Sequence, residues 1–141
     1  MKNFLKNQKG ITLIVLMLTI IIMAILAGAV VTNIDIGEDI RNYNYMRADI
    51  ELLSGKIMTY YNENGSIPTK GSVITNPDLN GQASSKDNSN YYQIDISKLY
   101  NITLNYGGGT LANEDIYIIN EQSHEIYYLK GAYFENTLYH T

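Results

Sequence analysis

The feature that most limits what this chain can become is the run from Ile11 to Ile34, 24 residues without one charged side chain. As an α-helix rising 1.5 Å per residue, such a run extends about 36 Å, more than the roughly 30 Å hydrocarbon core of a bilayer. It is long enough to cross a membrane and too long for the apolar stretch of a secretory signal peptide, which spans about 7 to 15 residues. Ala27-Gly28-Ala29 does carry the small-x-small pattern of a signal cleavage site, so removal of the whole segment is the competing expectation. Lys2, Lys6 and Lys9 precede the run, and Asp35, Glu38 and Asp39 follow it. That asymmetry predicts a cytoplasmic amino terminus, with everything beyond the span outside.

After the span is subtracted, about 110 residues remain, enough for one domain with a modest core. The first ten residues carry three lysines and no acid, so the rest is more acidic than the formal charge of −4 for the whole chain. An acidic body without a Lys/Arg cluster has nothing to meet phosphates, which argues against nucleic acid as a partner. Cysteine is absent, which excludes disulfides, thiolate metal sites and a cysteine nucleophile. Tyrosine dominates the aromatics, 13 against two Phe and no Trp, and suits half-buried strand faces where the ring packs and the hydroxyl stays wet.

Beyond Asn33 the pattern turns amphipathic. Ile36, Ile40, Tyr43, Met46, Ile50, Leu53, Ile57 and Tyr60 recur at steps of three and four, which is one face of a helix. Glu38, Arg41, Asp49 and Lys56 fall off the stripe, and Arg47 stands four residues before Glu51 at a supporting spacing. Joined to the apolar run, this gives one helix from Thr12 to near Asn62, about 75 Å long. Asn33, Asp35 and Gly37 are weak helix formers where a bend is expected. Tyr60-Tyr61-Asn62-Glu63-Asn64-Gly65-Ser66-Ile67-Pro68 reads as the helix end, Gly65 serving as a left-handed cap and Pro68 blocking continuation.

Lys9-Gly10-Ile11-Thr12-Leu13-Ile14 resembles the processing site of type IV prepilins and pseudopilins: a short basic leader ending in glycine, an apolar first mature residue, then Thr-Leu-Ile opening a hydrophobic helix. The tyrosine pair, Asn-Gly and Pro at the helix end are similar to the end of the long pilin helix. The resemblance implies cleavage by a prepilin peptidase between Gly10 and Ile11, methylation of Ile11, and assembly through the helix on a pilus platform. Such a cut removes all three lysines and keeps the span, and glycine suits a close-fitting, extended protease site. The family usually places a glutamate five residues into the mature chain; here that position is Val15, and the first acid, Asp35, lies 24 residues beyond Ile11. Without that acid, bilayer residence is easier by roughly 2.5 to 3.5 kcal/mol on insertion scales. Lack of this glutamate is a feature of some minor subunits of such filaments.

Past the helix, Thr69 to Asn90 is rich in Gly, Ser, Asn, Asp and Lys and reads as a surface loop. Asp78, Asp87 and Asp95 show no calcium-ligand spacing. Tyr92, Ile94 and Ile96 alternate with polar residues, as do Ile102, Leu104 and Tyr106, so both stretches are expected as strands, with Ser97 as an alternative cap for a short turn through Lys98 and Leu99. Residues 115–119 and 125–129 are expected to form a hairpin, and Gly131 permits a turn toward a last strand near 138–141. The expected class is α+β, pilin-like: a long amino-terminal helix, membrane-spanning in its first half and amphipathic in its second, packed on a small antiparallel sheet of three to five strands. The expected division is a leader at 1–10, a transmembrane and assembly segment at 11–34, and an extracytoplasmic domain at 35–141, with helix to about 62, loop 65–90 and sheet 91–141.

No catalytic constellation stands out. Gly107-Gly108-Gly109 lacks the lysine of a phosphate loop and reads as a turn. His124 and His140 lack metal-ligand spacing and read as exposed bystanders, and Ser123 beside His124 does not make a nucleophile. Tyr117, Tyr127, Tyr128, Tyr133 and Tyr139 read as strand packing before they read as an aromatic binding surface. No cofactor, no metal and no enzyme activity is expected. The expected function is that of a structural subunit, of the minor kind, in a type IV pilus or a type II secretion-like pseudopilus. Its expected partners are other pilin-like subunits, a prepilin peptidase, the assembly platform and the lipid bilayer, and its site is the cytoplasmic membrane and then an extracellular filament. The alternative is a single-pass, membrane-anchored binding or sensor domain that does not polymerise.

Overall fold

The computed structural model describes residues 4–141; for residues 4–12 and 28–36 only the backbone is described, not the side chains. The chain divides into two units, Met1–Glu38 and Asp39–Thr141. One helix, α1 (Phe4–Asn64), runs through both. It therefore begins before the expected Thr12, and Asn33, Asp35 and Gly37 all lie within it. It ends as the sequence foretold: Gly65 adopts φ +68 and its N–H donates to the Tyr61 carbonyl at 2.8 Å.

In the first unit every described side chain from Leu13 to Ala27 is exposed. The second unit is α+β, with an antiparallel sheet in the order β1 (Thr69–Thr75), β2 (Asn90–Ile94), β3 (Tyr117–Asn120), β4 (Ile126–Tyr128). A separate two-stranded ribbon follows, β5 (Ala132–Phe134) with β6 (Thr137–Tyr139). Glu135 and Asn136 join the ribbon strands with φ +48 and +62, the two positive values that a tight two-residue hairpin matched to strand twist demands.

The helical stripe packs as its spacing requires. Met46, Leu53 and Ile57 are buried, with Tyr43, Ile50 and Tyr60 half-buried beside them, against Ile94, Tyr117, Ile119, Ile126 and Tyr128 of the sheet. Full burial of each such side chain is worth about 1.5 to 3 kcal/mol. The sheet has a second core on its other face, where Leu79 packs against Tyr91, Ile116, Ile118 and Tyr127. With apolar side chains covered on both faces, β3 is buried at all four of its residues.

Several expectations are corrected. The stretch 65–90 is not all surface loop. Residues 69–75 form an edge strand, which the sequence hid because its side chains are mostly exposed and the ladder slips at a bulge between Lys70 and Ile74. Leu79 then carries the segment over the outer face of the sheet. Ile102, Leu104 and Tyr106 do turn toward the core as their alternation predicts, yet they make no strand. Asp95, not Ser97, caps the short 3-10 turn Ile96–Lys98, accepting from the Ser97 amide at 3.3 Å and its hydroxyl at 2.6 Å. The last strand is Thr137–Tyr139, and β5 precedes it in the stretch that had been expected as a turn.

Candidate functional site

The residues on which the sequence-based function rests lie at the head of α1. Gly10 and Ile11 belong to its helical backbone, and their side chains are outside those described. Val15, where the resembled family carries its glutamate, is 55% exposed in the middle of the apolar stretch. Around it Leu13, Ile14, Leu16, Met17, Leu18, Ile20, Ile21, Ile22, Met23, Ile25 and Leu26 are all exposed, on every side of the helix. The one hydroxyl in this stretch, Thr19, turns back to the Leu16 carbonyl at 2.8 Å, so no polar group competes for the surface. A helix apolar all round is stable only when other apolar matter surrounds it, lipid or neighbouring helices. Among the described residues no helix is long and apolar enough to cross a membrane. The described apolar side chains, 13–27, extend about 22 Å; residues 11, 12 and 28–34, which complete the run in sequence, have no described side chains.

In the second unit α1 carries a polar device that the periodicity missed. Asp49, assigned by its spacing to the solvent face, is wholly buried. Its carboxylate accepts from the Asn105 amide at 2.9 Å, the Asn105 side chain at 3.1 Å and the Tyr106 amide at 2.6 Å. The Tyr117 hydroxyl also lies 3.0 Å away, and equally close to the Tyr106 carbonyl. One helical carboxylate thus takes up backbone donors of the segment that alternation assigned to a strand, which is why that segment needs no ladder partner. Burial first, then the Asp49 charge and its hydrogen bond, push the Tyr117 hydroxyl far above its ordinary pKa. The only advance sign was an acid flanked by stripe residues at 46, 50 and 53.

A second carboxylate, Asp87, ties the segment after β1 to the far face of the sheet. It accepts from the hydroxyls of Tyr91 at 2.9 Å, Tyr127 at 2.8 Å and Ser123, and from the Ser84 amide at 3.1 Å. Burial pulls its pKa upward, but these hydrogen bonds outweigh it and the carboxyl titrates below the ordinary value. Burial, followed by the hydrogen bond and charge of Asp87, raises Tyr91 to about 12. Tyr127 is raised by burial and then by Asp87, and Tyr128 by burial and then by Asp115, which it contacts. Ser123 is thereby engaged by a carboxylate, and the structure places no histidine on it.

His124 is exposed, with its ring 5.2 Å from Tyr61, but His140 is buried, contrary to expectation. Its Nδ1 lies 2.9 Å from the Tyr128 carbonyl, its amide donates to Gln82, and its carbonyl accepts from the Tyr128 amide at 2.7 Å. The carboxy-terminal residues so close the free edge of β4. Of the five tyrosines considered for a surface, Tyr117, Tyr127 and Tyr128 are core, Tyr139 is half-buried, and Tyr133 is exposed. The triple glycine is a turn: its Gly108 and Gly109 amides both donate to the Asp115 carbonyl. A Cβ on Gly107 would come within 2.9 Å of the Tyr117 and Tyr128 rings. Among the described residues no three acids or histidines gather closely enough to hold a metal ion, and every buried side-chain polar atom has a partner.

The chain matches no family model, and neither a curated protein nor a solved structure is significantly similar to it.

Proposed function

We propose that the protein is a structural subunit, of the minor kind, of a type IV pilus or a type II secretion-like pseudopilus. In this reading a prepilin peptidase cuts between Gly10 and Ile11, Ile11 is methylated, and the helix holds the subunit in the cytoplasmic membrane with the domain outside. An assembly platform then moves it into a filament of like subunits. The observation that carries the reading is the sequence Lys9-Gly10-Ile11-Thr12-Leu13-Ile14 at the head of a helix whose next described side chains are all exposed and, Thr19 apart, all apolar. That surface has the same free-energy requirement in lipid and in a bundle of similar helices. Transfer between the two therefore carries no large hydrophobic penalty.

The experiment is to determine the mass and amino-terminal sequence of the protein from its native cells. The expected mature chain begins at a methylated Ile11; a chain that retains Met1, or begins near Ala29, overturns the proposal. Val15 supports a second reading, a membrane-tethered binding or sensor domain that never polymerises, since no acid in the apolar run is available to pair with a neighbour's terminal amine. Cysteines placed in the apolar half separate the two. Assembly yields a ladder of cross-linked species, and a solitary tether yields none.

A further inference from the structure

The chain holds two Asn-Gly pairs, Asn64-Gly65 and Asn80-Gly81. Asparagine followed by glycine is a reactive pair, because glycine has no side chain to keep its backbone nitrogen away from the neighbouring amide carbon. The two pairs are held differently. Asn64 is the last residue of α1; its Nδ2 donates to the Tyr60 carbonyl at 2.9 Å, and the Gly65 amide donates to the Tyr61 carbonyl at 2.8 Å. Nucleophile and electrophile are both tied to the last helical turn, which must unwind before they meet.

Asn80 and Gly81 are the middle of a tight turn between β1 and β2. Their φ values are +53 and +73, and the Gln82 amide closes the turn on the Leu79 carbonyl at 2.9 Å. Two successive positive values are the reason Asn-Gly is favoured in such a turn. Both residues are exposed, a Cβ on Gly81 would meet nothing within 4 Å, and among the described residues the Gly81 amide donates to no acceptor. The nitrogen that must attack is therefore free. One hydrogen bond, from Asn80 Nδ2 to the Leu138 carbonyl at 3.1 Å, holds the side chain it would attack.

That hydrogen bond gives the reaction a consequence. The Leu138 carbonyl also accepts from Gln82 Nε2 at 2.7 Å, and Gln82 Oε1 accepts from the His140 amide at 2.8 Å. Residues 80–82 so stitch β6 and the residue after it to the loop that follows Leu79. Loss of Nδ2 sets a carboxylate oxygen against a carbonyl oxygen where a donor stood. It also adds a negative charge beside Asp78, whose carboxylate accepts from the Asn80 amide at 3.1 Å.

We propose that Asn80 is a site of spontaneous deamidation and that its conversion loosens the carboxy-terminal strand. The Gly81 amide gives up its proton to solvent base and its nitrogen bonds to Asn80 Cγ; the Cγ–Nδ2 bond breaks and that nitrogen leaves as ammonia. Water opens the resulting cyclic imide at either carbonyl, which leaves aspartate or isoaspartate at position 80. One water enters for each ammonia released, and no oxidant, reductant or partner is required.

The full-length protein is purified in detergent and aged at mildly alkaline pH. Its peptides are then mapped by mass spectrometry, with isoaspartate scored by enzymatic methylation. In the folded protein position 80 is expected to convert about tenfold faster than position 64, the margin set by the further hydrogen bond that must open at Gly65. In urea the two are expected to convert at similar rates. Asn80→Gln, whose longer side chain disfavours ring closure, is expected to stay intact. Hydrogen exchange at the His140 amide is expected to rise several-fold in the aged protein and in Asn80→Asp, and ageing is expected to add nothing to it in Asn80→Gln. Equal conversion at 64 and 80 in the folded protein, or none at 80, overturns the site. Conversion at 80 with His140 exchange unmoved overturns its link to the strand.

Discussion

The two stretches of α1 share a backbone geometry and differ in how their apolar side chains are covered. From 13 to 27 every large apolar side chain is exposed. From 43 to 60 the apolar stripe closes on the sheet and even an acid is buried with it. Both are helical throughout. The difference teaches that one stretch depends for its stability on surroundings outside the chain, and the other on contacts the chain supplies.

That contrast can be broken most forcefully at Asp49. Asp49→Ala leaves the Asn105 and Tyr106 amides and the Tyr117 hydroxyl without their acceptor, and is expected to cost about 4 kcal/mol, read as a large fall in the melting temperature of the domain. Leu53→Ala, at a position with no exposure, is expected to cost about 3 kcal/mol by the same measurement. Ile20→Lys probes the other stretch. If the apolar stretch sits in a bilayer as proposed, the substitution should disfavour insertion by about 3 kcal/mol, seen as less protein in the membrane fraction than wild type, while the melting of the domain is unmoved. A fall in domain melting with Ile20→Lys would show that the two stretches are not independent.

The smallest effects sharpen the comparison by lying away from α1 altogether. The Asp87 carboxyl has a folded-state pKa below its ordinary 3.8, so its contribution is present above that value and is lost as pH falls through the folded one. Asp87→Asn should flatten the acid limb of a stability–pH curve. Tyr91, raised from 10.0 to about 12, acts in the opposite sense. Its contribution is whole below pH 10 and fades as pH climbs toward 12, so Tyr91→Phe should remove part of the alkaline decline, with a neutral-pH cost under about 1 kcal/mol. Equal slopes in wild type and variant would place the acid and alkaline transitions elsewhere.

Much of this was legible in the residues. The core stripe Met46, Ile50, Leu53 and Ile57 could be read because a helix repeats every 3.6 residues wherever it lies. Gly65 could be read because a left-handed cap favours glycine. The hairpin of β3 and β4 announced itself by two apolar runs around a polar link. By contrast β1 was hidden, since an exposed, bulged edge strand has no apolar alternation to display. The 102–106 segment misled in the opposite way: its alternation reported burial correctly, while strand identity depends on where its amides find acceptors. Of the candidate site, Gly10, Ile11 and Val15 were legible as a local motif.

The sequence by itself determined the two characters of the helix, the place where it stops and the α+β class, because each depends on residues within a few positions of one another. Only the tertiary structure decided that Asp49 and His140 go inside, that Leu79 closes the back of the sheet, and that 102–106 is held by a carboxylate instead of a neighbouring strand. The physical reason is that a polar group can be buried only where partners satisfy it. For Asp49 those partners lie more than fifty residues away along the chain.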